Sequence, residues 1–296
     1  MVRPCRFYPN PETAADNAFQ CAAAVDVEPI TAAARSEFDS AVGELLRAGV
    51  NVHVFEDTPE PHKPDAVFPN NWISTHHDGR VALFPMYSAL RRRERRHDVI
   101  DQLRKHYRVT EVIDYSRFED EGCCLEGTGS LVLDHVNKIA YVSLSKRSNP
   151  KVIRQFAEDF GYEPVTFTSI GLGGQPIYHT NVMMCVGTNF ALVGLAMIPD
   201  RAEREQMRAR LGSSGKEIVE LSANQVANFA GNAIELHDAD GEKLLVLSAR
   251  ALSALTDQQR KRLARYAHLI PLDLPTIELG GGSARCMIAT IHLPPL

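Results

Sequence analysis

A cluster of small or polar residues followed by an apolar strand recurs along the chain, and this repeat constrains the fold more than any single motif. The copies are centred near Asn71, Thr128, Thr180, Asn232 and Ser283, at intervals of roughly 50 to 57 residues. Each of the first four copies continues through a turn into a second apolar strand and then into a charged helix start. A period of this length is typical of repeat architectures. We therefore expect an α/β fold built as a ring of like units, with the polar clusters meeting at its centre.

The fifth copy, GGGSARCMIATIHLP, stops after one strand. An N-terminal segment such as residues 1–9 could complete this copy and close the ring. The repeat runs from about residue 65 to the end of the chain, which favours one domain spanning residues 1–296 over two smaller domains.

Between the clusters, the pattern of apolar residues predicts a unit of strand, strand, helix and strand, repeated about five times. Helices are predicted at 88–106, 150–160, 200–211 and 256–267. Asp200 and Thr256 are the expected N-caps of the last two. Short strands are predicted after the helices, at 108–113, 163–167, 217–221 and 268–272.

The composition is that of an ordinary globular protein. Hydrophobic residues make up 44% of the chain and charged residues 23%, and the net charge is -5. This charge gives no electrostatic footprint for nucleic acid, and neither a signal peptide nor an apolar run long enough to span a bilayer is evident. We therefore expect a cytoplasmic protein with no nucleic-acid or membrane partner. The six cysteines contain no C-x-x-C pair, so they are predicted to be reduced thiols that bind no metal.

Two charged segments invite a functional interpretation, but each has a simpler one. Residues 91–96, RRRERR, could bind nucleic acid, yet on a helix the charges spread around several faces, and a solvated helix is the preferred prediction. Residues 238–242, DADGE, resemble the start of a calcium-binding loop but lead into an apolar strand without the later carboxylate. A hairpin turn is predicted there.

Three residues of the repeated clusters have side chains suited to covalent catalysis: Glu126 in LEGTGS, His179 in YHTNVMM and Cys286 in GGGSARCM. They lie in different repeats, so a ring would bring a carboxylate, an imidazole and a thiol into one pocket. Cysteine is nucleophilic as the thiolate. The three glycines before Cys286 allow the backbone to approach a ligand closely, and N–H groups there could face a developing negative charge. The combination suits attack on an sp² carbon.

These segments resemble the guanidino-group modifying enzymes, or penteins, over essentially the whole chain. GGGSARCM is similar to the nucleophile segment of arginine deiminases, LEGTGS to their acidic segment, and PDAVFPNNW to a substrate-binding segment of dimethylarginine dimethylaminohydrolases. Together with YHTNVMM, they look most like the citrulline utilisation hydrolase group. The resemblance implies a five-bladed pseudosymmetric α/β propeller of ββαβ units that needs neither a metal nor an organic cofactor.

The resemblance also implies roles for individual residues. Cys286 would be the nucleophile, His179 the general acid and base, and Glu126 the acid that orients the substrate. Asp65, Asn71, Asn181 and Arg285 are the expected substrate-binding residues.

The deiminases hold the substrate guanidinium with two aspartates, at positions where this chain has Asn71 and Asn181. A guanidinium offers only donors, whereas a ureido group also has a carbonyl oxygen that needs a donor, and an amide side chain supplies both kinds of partner. This favours citrulline as the small-molecule substrate, giving ornithine, ammonia and carbon dioxide.

Three alternatives remain open from the sequence. One is hydrolysis of arginine or a methylated arginine, by an arginine deiminase, a dihydrolase or a dimethylarginine dimethylaminohydrolase. The second is an amidinotransferase, and the third is a non-catalytic binding protein. A homodimer is compatible with all of them.

Overall fold

A computed structural model describes residues 1–21 and 26–296. Within these residues the strands form five small sheets. The strands are β1 Val2–Arg3, β2 Phe55–Glu56, β3 Ile73–Thr75, β4 Arg80–Leu83, β5 Glu111–Asp114, β6 Val132–Asp134, β7 Ile139–Ser143, β8 Glu163–Phe167, β9 Met184–Val186, β10 Phe190–Val193, β11 Glu217–Glu220, β12 Ile234–His237, β13 Lys243–Ser248 and β14 His268–Leu272. The helices are α1 Val27–Arg47, α2 Ala89–Arg92, α3 His97–His106, α4 Gly127–Ser130, α5 Pro150–Phe160, α6 Arg201–Ser213, α7 Ala223–Ala227, α8 Ala249–Ala254 and α9 Asp257–Leu263.

Four of these sheets have the same three-stranded plan, which realises the predicted ββαβ unit. In each sheet the first two strands form an antiparallel hairpin, and the third strand lies parallel to the second. In the first such sheet, for example, Ile73 pairs with Leu83 and Arg80 with Glu111. Parallel neighbours require a crossover, and the charged helical segments between the repeats supply it. The strand predictions at Glu163–Phe167 and His268–Leu272 are confirmed residue for residue.

The fifth sheet differs from the sequence expectation. It contains β1 and β2, paired in parallel, so the N-terminus does contribute a strand, but the strand predicted after Cys286 joins no sheet within the described residues. The side chain of Thr75 binds part of its backbone instead. Thr75 Oγ1 donates to the carbonyl of Thr290 and accepts from the N–H of His292. These two backbone groups are therefore hydrogen-bonded without a neighbouring strand.

Helix α1, the longest helix described, was not predicted. Its N-cap is Asp26, whose side chain accepts a hydrogen bond from the N–H of Glu28. Ile30, Ala34, Phe38, Ala41 and Leu45 are buried on it, at the spacing of one helical face. This face packs into the same core as Phe7, Val246 and Leu272.

The helix predicted at 88–106 is wrong as one element, because it divides into α2 and α3. The solvated-face prediction for residues 91–96 is also wrong in part. The side chains of Arg91 and Glu94 are only 3% and 1% exposed, because they neutralise each other across a 2.9 Å ion pair. By contrast, the predicted N-caps Asp200 and Thr256 are confirmed, each accepting a hydrogen bond from a backbone N–H three residues later.

The hairpin turn predicted between two apolar strands is confirmed. Residues 238–241 form the hairpin turn between β12 and β13, with Gly241 at a φ of 85°. All six cysteines are free thiols. In the described part of the chain, no helix is long and apolar enough to cross a membrane. Within the same residues, no group of three or more His, Cys, Asp or Glu side chains is arranged to hold a metal ion.

The repeated polar clusters form short turns, and in the first four units the turn comes shortly before the first strand. Three are helical, at Pro69–Asn71, Gly127–Ser130 and Thr180–Val182. Two are turns at 228–231 and 284–287. Successive turns are hydrogen-bonded: Thr128 Oγ1 to Asn70 O, Thr180 Oγ1 to Ser130 O, Asn232 Nδ2 to Asn181 O, and Arg285 N to Asn232 Oδ1. The polar clusters therefore meet in space, as the repeat predicts.

Candidate active site

The turn that carries Cys286 is fixed by its own backbone and by a buried carboxylate. Gly281, at its start, has a φ of 83°, and a Cβ there would lie under 3.0 Å from Asn17 Nδ2, so glycine is required. Ser283 Oγ donates to Glu278 at 2.7 Å, and the N–H of Cys286 donates to the carbonyl of Ser283 at 2.9 Å. Cys286 itself is 2% exposed. Its thiol is thus held at one position in the interior.

Two amide groups point at the sulfur. Asn181 Nδ2 lies 3.4 Å and Asn232 Nδ2 lies 3.3 Å from Cys286 Sγ. Asn232 was not among the predicted site residues, although its place in the repeat was the signal that could have identified it. N–H donors directed at sulfur favour the anionic thiolate over the neutral thiol.

Glu126 and His179 form a second buried pair. His179 Nε2 lies 2.7 Å from Glu126 Oε2. Burial alone would raise the pKa of Glu126, but the charge of Arg147 and the hydrogen bond from His179 hold that pKa well below its usual range. Burial lowers the pKa of His179 to about 4, against the raising effect of Glu126. At neutral pH the pair is therefore a carboxylate and a neutral imidazole whose Nε2–H donates to it, which leaves the Nδ1 lone pair to accept a proton.

Glycine at position 129 makes room for this arrangement. A Cβ on Gly129 would lie under 3.0 Å from Asn71 Nδ2 and 2.8 Å from His179 Nδ1. Atoms cannot approach so closely without displacement. Two of the predicted site residues, Asn71 and His179, therefore converge on one backbone position of the LEGTGS segment.

Two buried arginines also belong to this region, and the sequence prediction missed both. Arg91 Nη1 donates to Asn71 Oδ1 at 2.7 Å and lies 3.8 Å from Glu126 Oε2. Arg147 lies 3.5 Å from Glu126 Oε2 and donates to Asp16 at 2.7 Å. Glu94 is the bidentate partner of Arg91; burial raises its pKa, against the lowering effect of Arg91. The site therefore holds two permanent cations among its carboxylates.

The remaining predicted residues divide between two locations. Asp65 is buried beside the site, accepting from Asn10 Nδ2 at 2.8 Å and lying 3.5 Å from Arg91. Burial raises the pKa of Asp65. Arg285 is elsewhere: its guanidinium donates to the carbonyl of Ile288 at 2.7 Å and does not line the small cavity that contains the thiol. The part of Arg285 that contributes to the site is its backbone N–H, which donates to Asn232 Oδ1.

Cys286 and His179 line the same small cavity, of about 10 Å³, which is room for about one water molecule. Its other walls are Asn17, Asp65, Phe68, Asn71, Arg91, Arg147, Tyr178, Gly280 and Gly282. A larger cavity of about 500 Å³ has none of the catalytic candidates in its walls, which include Trp72, His135 and Glu235. Cys286 and His179 therefore share the smaller cavity and not the larger one.

A search of curated proteins found no match. A family model described as N,N dimethylarginine dimethylhydrolase, eukaryotic, matches residues 3–293. The chain belongs to this dimethylarginine dimethylhydrolase family. With it, the chain belongs to the pentein superfamily, as its sequence segments predicted, and to enzymes that hydrolyse the carbon–nitrogen bonds of amidino groups.

Solved structures agree with the family's fold. The N-terminal domain of ArgZ, an arginine dihydrolase from the ornithine-ammonia cycle in cyanobacteria, has a TM-score of 0.74 and 16% identity, with 97% of this chain and 95% of that chain covered. Unliganded AgrE has a TM-score of 0.75 and 15% identity, with 97% of this chain and 38% of that chain covered. A dimethylarginine dimethylaminohydrolase adduct with S-methyl-L-thiocitrulline has a TM-score of 0.63 and 15% identity, covering 97% and 96% of the two chains. The finer likeness to the citrulline utilisation group stays a prediction.

Proposed function

We propose that this family member is a cysteine-dependent hydrolase of a ureido or guanidino amino acid, and that citrulline is its preferred substrate. The observation that carries the choice is a pair of unsatisfied amide atoms. Asn71 Nδ2 and Asn181 Oδ1 are buried and have no hydrogen-bond partner among residues 1–21 and 26–296. One is a donor and the other an acceptor.

These two atoms match the two kinds of polar atom that a ureido group presents. Arg91 donates to Asn71 Oδ1, which fixes the amide so that its Nδ2 is the free end. Asn181 Nδ2 is directed at Cys286 Sγ, which leaves its Oδ1 free. A ureido oxygen can accept from the first amide and a ureido N–H can donate to the second. A guanidinium, which has no acceptor, would leave Asn71 Nδ2 unsatisfied, and an unmade buried hydrogen bond costs about 1–3 kcal/mol.

The proposed reaction has two steps. His179 Nδ1 takes the thiol proton of Cys286 as the sulfur attacks the ureido carbon and a carbon–sulfur bond forms, and it passes that proton to the leaving nitrogen as the carbon–nitrogen bond breaks. Water, deprotonated by the same imidazole, then attacks the carbon and releases the sulfur. The carbamic acid released in this way breaks its remaining carbon–nitrogen bond, its own proton passing to the nitrogen, so citrulline and one water give ornithine, ammonia and carbon dioxide. Glu126 stabilises the imidazolium that forms transiently within each step.

The other charged groups suit the amino-acid end of the substrate. Arg91 and Arg147 are cations that line the cavity, and Asp65 is a carboxyl group in the same wall. A zwitterionic amino acid carries one carboxylate and one ammonium group, so we propose that the arginines receive the carboxylate and Asp65 the ammonium. The cavity of about 10 Å³ must enlarge for this. The contacts of Asp16 with Arg147 and of Asn17 with Gly280 would have to break.

The family model favours a second function, hydrolysis of dimethylarginine to citrulline and dimethylamine. Glu126 and Asp65 are the anions available for a guanidinium in that case. Arginine dihydrolysis, the activity of ArgZ, is a third possibility with the same nucleophile, and transfer to an acceptor amine or non-catalytic binding are less well supported.

The architecture proposed with this function is a five-bladed propeller, with the five sheets as blades around the linked polar turns, forming one catalytic domain over residues 1–296. Packing of Gly282 against Phe68 supports closure, since a Cβ on that glycine would lie 2.8 Å from the phenyl ring, next to the first polar turn. A cytoplasmic location and a homodimer stay predictions.

Product stoichiometry tests the proposal. Purified protein is incubated separately with citrulline, arginine and dimethylarginine, and ornithine, ammonia, citrulline and dimethylamine are quantified. We expect equal amounts of ornithine and ammonia from citrulline. Twice as much ammonia as ornithine, formed from arginine but not from citrulline, would establish the dihydrolase instead, and dimethylamine would establish the second function.

Two cysteine variants serve as controls for this assay. Cys286→Ala should abolish turnover of every substrate. Cys185→Ala removes another buried thiol that lies outside the cavity, and it should retain activity. Full activity of Cys286→Ala would reject covalent catalysis by this thiol.

A further inference from the structure

The stabilisation that the Cys286 thiolate needs depends on whether the substrate is a cation or is neutral. A guanidinium brings a positive charge to the sulfur and can stabilise the thiolate as it binds, whereas a ureido group is neutral. An enzyme that acts on a neutral substrate therefore needs another source of stabilisation for its thiolate. This need for stabilisation of the thiolate rests on the proposed function.

Asn232 is placed to supply that stabilisation. Its side chain is fully buried, and its Nδ2 lies 3.3 Å from Cys286 Sγ and 3.0 Å from the carbonyl oxygen of Asn181. Its Oδ1 accepts from the N–H of Arg285 at 3.1 Å. Because Oδ1 has a backbone donor and Nδ2 has a backbone acceptor, the orientation of the amide is fixed independently of the sulfur.

Among the described residues, no charged side chain donates a hydrogen bond to the sulfur as the amides do. His179 is neutral at pH 7, since burial lowers its pKa to about 4. The buried Arg285 guanidinium donates to the carbonyl of Ile288 and interacts with Cys286 through its charge alone, and Arg91 and Arg147 pair with Glu94 and Asp16. Asn181 Nδ2 is the second donor, at 3.4 Å.

We propose that Asn232 is a catalytic residue that stabilises the thiolate form of Cys286, acting with Asn181 as a pair of amide donors to the sulfur. Asn181 also has a free Oδ1 for substrate, whereas every polar atom of the Asn232 side chain is used inside the protein. Asn181 can therefore contact both the nucleophile and the substrate, whereas Asn232 contacts the nucleophile alone. This arrangement lets the thiolate form without a substrate cation.

Titration of the free thiol tests this without any substrate. The ultraviolet absorbance of the thiolate and the rate of alkylation by iodoacetamide are measured against pH in a background where the more exposed thiols Cys5, Cys21 and Cys123 are replaced by serine, to limit the signal from other thiols. In Asn232→Ala, we expect the midpoint of thiolate formation to rise by about one pH unit, a tenfold change in the ratio of thiolate to thiol. Asn228→Ala, which truncates an amide bonded to Arg250 and Asn224, should leave the midpoint unchanged.

Asn232→Asp keeps the size of the side chain and the acceptor for Arg285 N–H, so it tests the proposal if the alanine variant fails to fold. It replaces the donor by an anionic oxygen beside the sulfur, and its midpoint should rise at least as far. An unchanged midpoint in a folded Asn232→Ala or Asn232→Asp protein would overturn the proposal. Because neither measurement uses substrate, a protein that turns over no citrulline but shows the shift would reject only the proposed substrate.

Discussion

His179 Nε2 lies 2.7 Å from Glu126 Oε2, in a site where neither side chain is more than 2% exposed. The carboxylate fixes the tautomer of the imidazole and stabilises the imidazolium that forms when His179 takes a proton. Its own charge is maintained by Arg147 and Arg91. Loss of that charge should therefore affect proton transfer more than substrate binding.

Glu126→Gln is expected to lower kcat on citrulline by about 10²- to 10⁴-fold, the usual contribution of general acid and base catalysis. The amide retains the size of the carboxylate but cannot stabilise imidazolium. Steady-state kinetics measures the change, with circular dichroism to verify folding. Glu121→Gln, which alters an exposed partner of Lys151, should change kcat by less than about twofold. A Glu126→Gln protein with the parent kcat would exclude this role.

Gly129→Ala should inactivate the enzyme although it adds only one methyl group. The new Cβ would lie under 3.0 Å from Asn71 Nδ2 and 2.8 Å from His179 Nδ1, so both side chains must move. A displacement of this kind can cost about 10²-fold in rate, measurable as kcat/KM on citrulline.

Gly212→Ala is the matched control for this change. Gly212 lies in α6, and a Cβ added there would meet no heavy atom within 4 Å. Alanine at this position should stabilise the helix by up to about 1 kcal/mol. Equal activities of the two variants would show that the site accommodates the methyl group.

The sequence predicted the repeat well because strand alternation and turn residues are local signals. Glu126, His179 and Cys286 could be selected because each stands in a repeated polar cluster. Arg91 could not, since its burial depends on Glu94 and Asn71, and the run RRRERR by itself is typical of a solvated helix. The position of the Arg285 side chain also depends on a tertiary partner, the carbonyl of Ile288. Local pattern carries no information about such pairings.

Asn71→Asp should shift specificity from citrulline toward arginine. The carboxylate retains the acceptor for Arg91 but loses the donor proposed for the ureido oxygen, and it adds an anion that attracts a guanidinium. We expect the ratio of kcat/KM for arginine to that for citrulline to rise about tenfold or more. Asn51→Asp places the same charge at an exposed position and should leave the ratio unchanged. A ratio unaltered by Asn71→Asp would argue against Asn71 as a substrate-binding residue.

Histidines that are largely shielded from solvent should make the protein sensitive to acid. Burial, and then His135 and His77, lower the pKa of His292 from 6.5 to about 2. Between these values the unfolded chain binds a proton that the folded protein does not, so stability falls as the pH drops below 6.5. His292→Phe retains an aromatic ring without the titrating group, and it should lose about 2 kcal/mol less stability than the parent between pH 7 and pH 5.

Urea denaturation at the two pH values measures this difference, because the linear extrapolation gives the free energy of unfolding at each pH. His97→Gln changes an exposed histidine at the start of α3 and is the control for replacing a histidine elsewhere in the protein. An equal loss of stability in His292→Phe and the parent would mean that His292 is protonated in the folded protein. The absolute stability of His292→Phe at pH 7 does not bear on this test, since only the pH-dependent difference reports the proton.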